Sequence, residues 1–157
     1  SYDNGNGDGH IVWRLGKDGD FAAPAGSIDP WFSHQHDGNF DPTDPTRLLV
    51  FDNGNTRVAK NGPSFSRGLA LHLDEKNMTV SFDLDVYLGV FSAAVGTAQK
   101  LDNGNYHFDA GFVMQPDKSI QSYSFEVNPS GVIVGFAKQT GILYRSFRLN
   151  SLYSSGN

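Results

Sequence analysis

The feature that most constrains this chain is a two-residue alternation of apolar and polar side chains in short runs. In "TVSFDLDV", Val80, Phe82, Leu84 and Val86 fall on one side of an extended chain, and Ser81, Asp83 and Asp85 on the other. "YSFEV" repeats the form with Tyr123, Phe125 and Val127. "RLLVFDN", "HIVWRL", "LALHLDE", "NYHFDAGF" and "GVIVGFA" are equally short, rich in β-branched or aromatic residues, and bounded by turn formers. No run keeps a helical period beyond two turns. The 18 glycines and 7 prolines suit strands joined by tight turns. An all-β fold is therefore expected.

The runs group in fours. One unit is expected at 34–40, 47–53, 67–73 and 79–86, and a second at 92–101, 106–112, 119–127 and 132–137. A lone strand is expected at 10–15 and another at 142–149. Four-stranded antiparallel units in tandem are the blades of a β-propeller. The chain then reads as a single partial propeller domain, 1–157, with blades at approximately 34–86 and 92–138. Propellers need about four to eight blades, so two cannot close a ring. Further blades are expected from sequence upstream or from other chains, a homo-oligomer included; the chain opens without Met inside what reads as a turn. The competing arrangement is a sandwich of about ten strands.

The tetrapeptide Asp-Asn-Gly-Asn occurs at Asp3, Asp52 and Asp102. Asn-Gly favours the positive φ angles of tight hairpins. The first and third copies read as turns of that kind. Only "FDNGNTR", with Arg57 at its end, has neighbours that make it a site candidate.

Charge narrows the partners. The net charge is -5 and no Lys/Arg run occurs. Phosphate backbones and anionic bilayers both require clustered cations, so neither nucleic acid nor a membrane surface is an expected partner. A small anion held by one or two arginines remains compatible. There is no cysteine, hence no disulfide and no thiolate metal site. No apolar run approaches the ~20 residues of a membrane helix.

The stretch richest in chemistry is "DPWFSHQHDGNF", 29–40. On an extended chain His34 and His36 share a face. They could supply two metal ligands, with Asp29 and Asp37 near, or one imidazole could act as nucleophile or acid–base. The alternative is a solvated strand start. Trp31 and Phe32 add the aromatic walls of a small-molecule pocket. Arg57 could clamp an anion with its planar fork of donors, and Arg67 and Arg145 could do the same; for each the competing role is an ordinary strand or turn arginine. "NGNGDG" from Asn4 begins like a calcium loop, but Leu15 stands where the bidentate Glu is needed. His72 and His107 read as polar-face strand residues.

Together "IVWRLGKDGDF", "WFSHQHDGNF", "LLVFDNGNTR", "FSRGLALHLDEKNMTV", "FSAAVGTAQKLDNGNY" and "LYRSFRLNSLY" resemble the C-terminal part of the arylsulfotransferase family, over about residues 9–153. The Gln-His-Asp stretch followed by Phe-Asp-Asn-Gly and then Ser-Arg is the specific part. The resemblance implies a six-bladed propeller, exported to the periplasm or secreted. It implies cofactor-free transfer of a sulfuryl group from a phenolic sulfate donor to a phenol acceptor, through a sulfated histidine and without a nucleotide sulfate. The nucleophile maps onto His36. Arg57, Asn53, His34, Arg67 and Arg145 map onto donors for the sulfate and phenolic oxygens. Several of the family's sulfate-binding residues lie in earlier blades, so the site on this chain is expected to be partial. Two other functions fit the residues: a non-catalytic propeller module that kept the scaffold, and a metal-dependent hydrolase using His34 and His36.

Overall fold

The computed structural model describes residues 7–23, 29–57 and 64–149. These form eight strands and no helix. β1 His36–Asp41, β2 Asp44–Asp52, β3 Arg67–Asp74 and β4 Thr79–Tyr87 make one sheet; β5 Thr97–Lys100, β6 Tyr106–Met114, β7 Ile120–Val127 and β8 Ile133–Thr140 make a second. Each sheet follows chain order and every pairing is antiparallel. Two such meanders side by side are propeller-like blades, as the grouping of the runs in fours implies.

The sheets pack face to face. Leu49, Phe51, Ala70, Leu84 and Val86 of the first meet Ala98, Tyr106, Phe108, Ala110, Phe125 and Val127 of the second. Two glycines set the closeness of this contact. A Cβ on Gly68 would lie 2.4 Å from the Phe108 ring, and one on Gly96 would lie 2.3 Å from Phe51. The other face of the first sheet carries Val50, Leu69, Leu71, Leu73 and Val80. Trp13, Leu15, Phe21, Trp31 and Phe32 from the preceding segment cover it.

β4 corrects the sequence reading in an informative way. Its four alternating apolar residues do not share a face. Ala70 pairs with Leu84, but Leu71 pairs with Phe82, so Asp83 is an extra residue in the ladder. This β-bulge sends Leu84 and Val86 toward the second sheet, while Val80 and Phe82 pack on the other side. Alternation in the sequence therefore survives while the face changes.

The lone strands expected at 10–15 and 142–149 do not form; neither segment belongs to a ladder. The first lies over the first sheet through Trp13 and Leu15. The second repeats a relation found one step earlier in the chain. At the sheet-to-sheet step, Asp37 and Asn39 of β1 use their side chains to bind the backbone N–H and C=O of Ala98 in β5. At the next step, Gln99 of β5 binds the backbone N–H and C=O of Arg148, and Thr97 accepts from the Ser146 N–H. Residues 143–148 thus sit on β5 as β5 sits on β1, without a ladder partner of their own. The strand expected at 92–101 shortens to β5, because Val95 and Gly96 turn the chain at positive φ. The Asp102 tetrapeptide is the β5–β6 turn, with Gly104 at φ 87. The Asp3 copy and the start of the calcium-like loop lie outside the described residues.

The face of the second sheet under residues 143–148 is polar. His107 on β6 contacts both Ser146 oxygens, and Ser124 reaches Asp109 and Ser146. Asp109 is fully buried, one of its carboxylate oxygens has no hydrogen-bond partner among the described residues, and burial pushes its pKa up to about 6. The folded state therefore holds a proton that the unfolded chain releases near pH 3.8. Stability from this group is complete at low pH and is lost as pH rises through about 6. Asp109→Asn is expected to be the more stable form at pH 7.5, by up to about 3 kcal/mol. It should also flatten the loss of stability between pH 4 and about 7. Urea denaturation at several pH values checks this; parallel pH profiles of variant and parent would contradict it.

Candidate functional site

The site grows from the end of β2. Asp52 and Asn53 are consecutive and both are fully buried. Adjacent residues of an extended chain point to opposite faces, so the two side chains serve opposite sides of the first sheet.

Asn53 faces the second sheet and orients His36. Its amide nitrogen donates to the carbonyls of Ser92, at 2.8 Å, and Val95, at 3.0 Å. Both amide protons are committed, so the amide oxygen is the atom presented to His36. That oxygen lies 2.7 Å from His36 Nδ1, with the His34 carbonyl at 3.1 Å. An acceptor pair on one side of the ring requires Nδ1 to carry the proton. Nε2 then bears the lone pair, facing the Val95 N–H at 3.3 Å. The ring is thus held as a neutral imidazole of one defined tautomer, and Nε2 is its nucleophilic atom.

Asp52 holds the opposite side. One carboxylate oxygen accepts the Ser33 N–H at 3.0 Å, pinning the segment that leads into His36. The other accepts from Arg57 Nη1 at 2.7 Å and from Arg67 Nε at 3.0 Å and Nη2 at 2.9 Å. Arg67 also donates to Asp85 at 2.9 Å. Asp52, Arg67 and Asp85 follow from register: Asp52 pairs with Arg67 in β2–β3, and Leu69 with Asp85 in β3–β4. Asp52 and Asp85 balance the two guanidiniums, and the half-exposed Asp29 lies 3.9 Å from Arg57 Nη1, which is what permits charges at this depth.

Arg57 is about 7% exposed; it donates to the Phe65 carbonyl at 3.0 Å and lies over the Phe65 ring. Its Nε makes no hydrogen bond among the described residues. Both Arg57 and Arg67 are therefore committed to internal carboxylates and carbonyls, which competes directly with clamping an external anion.

Arg145 is placed differently. Its side chain is 47% exposed and, among the described residues, its ion pair is to Asp37, at 3.3 Å. Asp37 is the residue after His36, and its other oxygen accepts the Ala98 N–H. Residues 143–148 thereby bring a half-exposed guanidinium to the neighbourhood of the imidazole. His34 does not share a face with His36: its φ of 52° breaks the extended path, and its side chain is exposed. It is the His34 carbonyl that touches the His36 ring. Among the described residues no group of three or more His, Asp or Glu could hold a metal ion.

Ser66, Ser92 and Val95 join the site although sequence reasoning did not single them out; Asp37 and Asp52 lay in the candidate stretches, but without the roles they take here. Asp52 had a signal, since it ends the apolar run "LLVFD" and must be buried with it. Ser66 bridges Asn53 and Ser92, accepting the Ser92 N–H at 2.9 Å. Nothing in the local sequence marks Val95.

Fold and site together define a propeller-type all-β protein with a tautomer-fixed histidine where two adjacent blades meet. The chain belongs to the arylsulfotransferase (ASST) family, whose model matches residues 4–145. At the level of the family this means transfer of sulfate between an aryl sulfate donor and a phenolic acceptor. No curated protein shows significant similarity to the chain.

The cluster generates a stability prediction. Asp52→Asn removes the carboxylate that both buried guanidiniums share, leaving, among the described residues, Asp85 for Arg67 and only the half-exposed Asp29, at 3.9 Å, for Arg57. It is expected to destabilise the fold by about 3–5 kcal/mol, as removal of one buried ion partner does. Chemical denaturation of variant and parent measures it, and a change below about 1 kcal/mol would show that the arginines find other partners.

Proposed function

We propose that this chain supplies the nucleophile of a sulfuryl-transfer site and that His36 Nε2 is the attacking atom. The observation that carries the reading is the Asn53 amide. With both its protons bound to backbone carbonyls, it leaves only an acceptor for Nδ1 and so reserves the Nε2 lone pair. In the first step that lone pair forms the N–S bond while the S–O bond to the aryl group breaks, its electron pair leaving on the phenolate. In the second an acceptor phenol attacks sulfur, the N–S pair returns to Nε2, and the acceptor's proton ends on the released phenol. Nδ1 keeps its proton and its hydrogen bond to the Asn53 oxygen throughout, so the ring needs no reorientation between steps.

Arg145 is the arginine we assign to the sulfate oxygens. It is half-exposed and its ion pair is to Asp37, the residue after His36, a contact that an anion could exchange. Arg57 and Arg67 act instead as scaffold, holding Asp52 and through it Ser33. His34 has no assigned contact to substrate. Further donors from other blades of a six-bladed ring, and export to the periplasm or beyond, belong to the same reading and rest on the family resemblance.

The test is turnover of p-nitrophenyl sulfate with a phenol acceptor by the full protein. His36→Ala is expected to lose activity by roughly 10³-fold or more, as loss of a covalent nucleophile does. Arg145→Gln should lower kcat/KM by about 10²-fold, the scale of one charged oxyanion donor. A sulfate adduct on His36 should be visible by mass spectrometry after rapid alkaline quench. Undiminished turnover in His36→Ala would point to a propeller whose chemistry lies elsewhere.

A further inference from the structure

Among the described residues six non-glycine residues have positive φ, and three of them, His34, Asp37 and Val95, lie around the imidazole. Val95 is the unexpected one. His and Asp visit the left-handed region fairly often, whereas a β-branched residue there is a true outlier. Strain of this kind persists only where the surroundings over-determine the backbone, and it concentrates at functional sites.

The surroundings are over-determined here. The Ser92 N–H donates to Ser66 Oγ, and the Ser92 carbonyl accepts from Asn53. The Ala93 N–H donates to the Phe112 carbonyl, and the Ala93 carbonyl accepts from Asn55. The Ala94 carbonyl accepts from Ser92 Oγ. The Val95 carbonyl accepts from Asn53, which leaves its N–H aimed at His36 Nε2. Gly96 follows at φ 147 and could absorb a turn alone, so a second unfavourable φ at Val95 needs its own reason. The Val95 side chain offers one: its Cγ2 is 2.8 Å from where a Gly111 Cβ would stand. The side chain wedges the loop against β6 at a position kept open by glycine.

We infer that the Val95 N–H is an oxyanion donor of the transfer reaction, held at the nucleophilic nitrogen by this strained and braced loop. The inference rests on His36 as nucleophile and deepens it. In the resting site the N–H donates to Nε2 at 3.3 Å, a long and weak bond that gives way when sulfur takes the lone pair. The N–H then turns to the oxygens of the bound sulfuryl group. A backbone donor held this close meets the developing charge with little reorganisation, which is how such donors contribute most. The ligand class is a tetrahedral oxyanion passing through five-coordinate geometry.

The test uses orthovanadate, which adopts that geometry on a histidine nitrogen, and needs no turnover. In the ¹⁵N-labelled full protein, saturating vanadate should move the Val95 amide proton downfield, and His36→Ala should abolish both binding and shift. Val95→Gly relieves the φ strain and removes the wedge. It should bind vanadate roughly tenfold more weakly while its melting temperature stays level or rises, and Val95→Ile should restore affinity. A residue with a purely structural role would instead change the melting temperature and leave affinity alone. Vanadate bound through His36 with an unmoved Val95 amide, or bound equally well by Val95→Gly, overturns this inference and leaves the nucleophile standing. Binding that survives His36→Ala overturns the nucleophile. A parent protein that does not bind vanadate overturns the oxyanion donor.

Discussion

A single buried carboxylate organises the first sheet. Asp52 is inaccessible to solvent, and an isolated charge at that depth is untenable. Everything around it answers that constraint. Arg67 arrives from the neighbouring strand by register, Arg57 folds back from the β2 turn, and Ser33 contributes a backbone N–H. Asp85 balances the second guanidinium. The cluster thereby ties three separate stretches, Trp31–Ser33, the β2 turn and the β3–β4 edge, into one rigid body. The value of such a cluster lies less in net stability than in specifying one arrangement, because any slip in register would strand a charge.

The reactive side inherits that rigidity from one peptide bond away. Asn53 follows Asp52 on an extended chain, so fixing the carboxylate fixes the amide on the opposite face. The amide in turn fixes the imidazole and two carbonyls of the Ser92–Val95 loop. The loop returns a backbone N–H to the same imidazole. The buried charge cluster lies on one side of the sheet, while on the other the His36 ring itself is held by neutral hydrogen bonds. A histidine that must act as a nucleophile is better served by the neutral side, where its lone pair is not claimed by a fixed acid.

Several features were legible in the sequence for a plain physical reason: they depend only on local periodicity or local turn chemistry. The all-β fold, the grouping of strands in fours, and the Asp102 hairpin are of this kind. His36 and Asn53 stood out because of the residues around them, and they do meet. The roles of the arginines were not legible. Arg57, Arg67 and Arg145 look alike in sequence, each among apolar or aromatic neighbours, and only the tertiary structure separates two buried, carboxylate-bound guanidiniums from one half-exposed. The alternation in β4 was real yet misleading, since a bulge at Asp83 divides its apolar residues between two cores. The segments 10–15 and 142–149 have strand composition without strand structure, because a strand is made by a neighbour and not by its own residues.

What the sequence determined alone is therefore the kind of object: short alternating strands, tight glycine-rich turns, an acidic balance of charge, a Gln-His-Asp stretch and an Asp-Asn-Gly turn. These are properties of residues within a few positions of one another. What only the tertiary structure decided is which side chains are committed and which are available. That depends on register across β2, β3 and β4, on the close approach permitted by Gly68 and Gly96, and on the turn of the chain at Val95. Each of these brings together atoms far apart in sequence, and no local pattern carries information about the partner that will arrive.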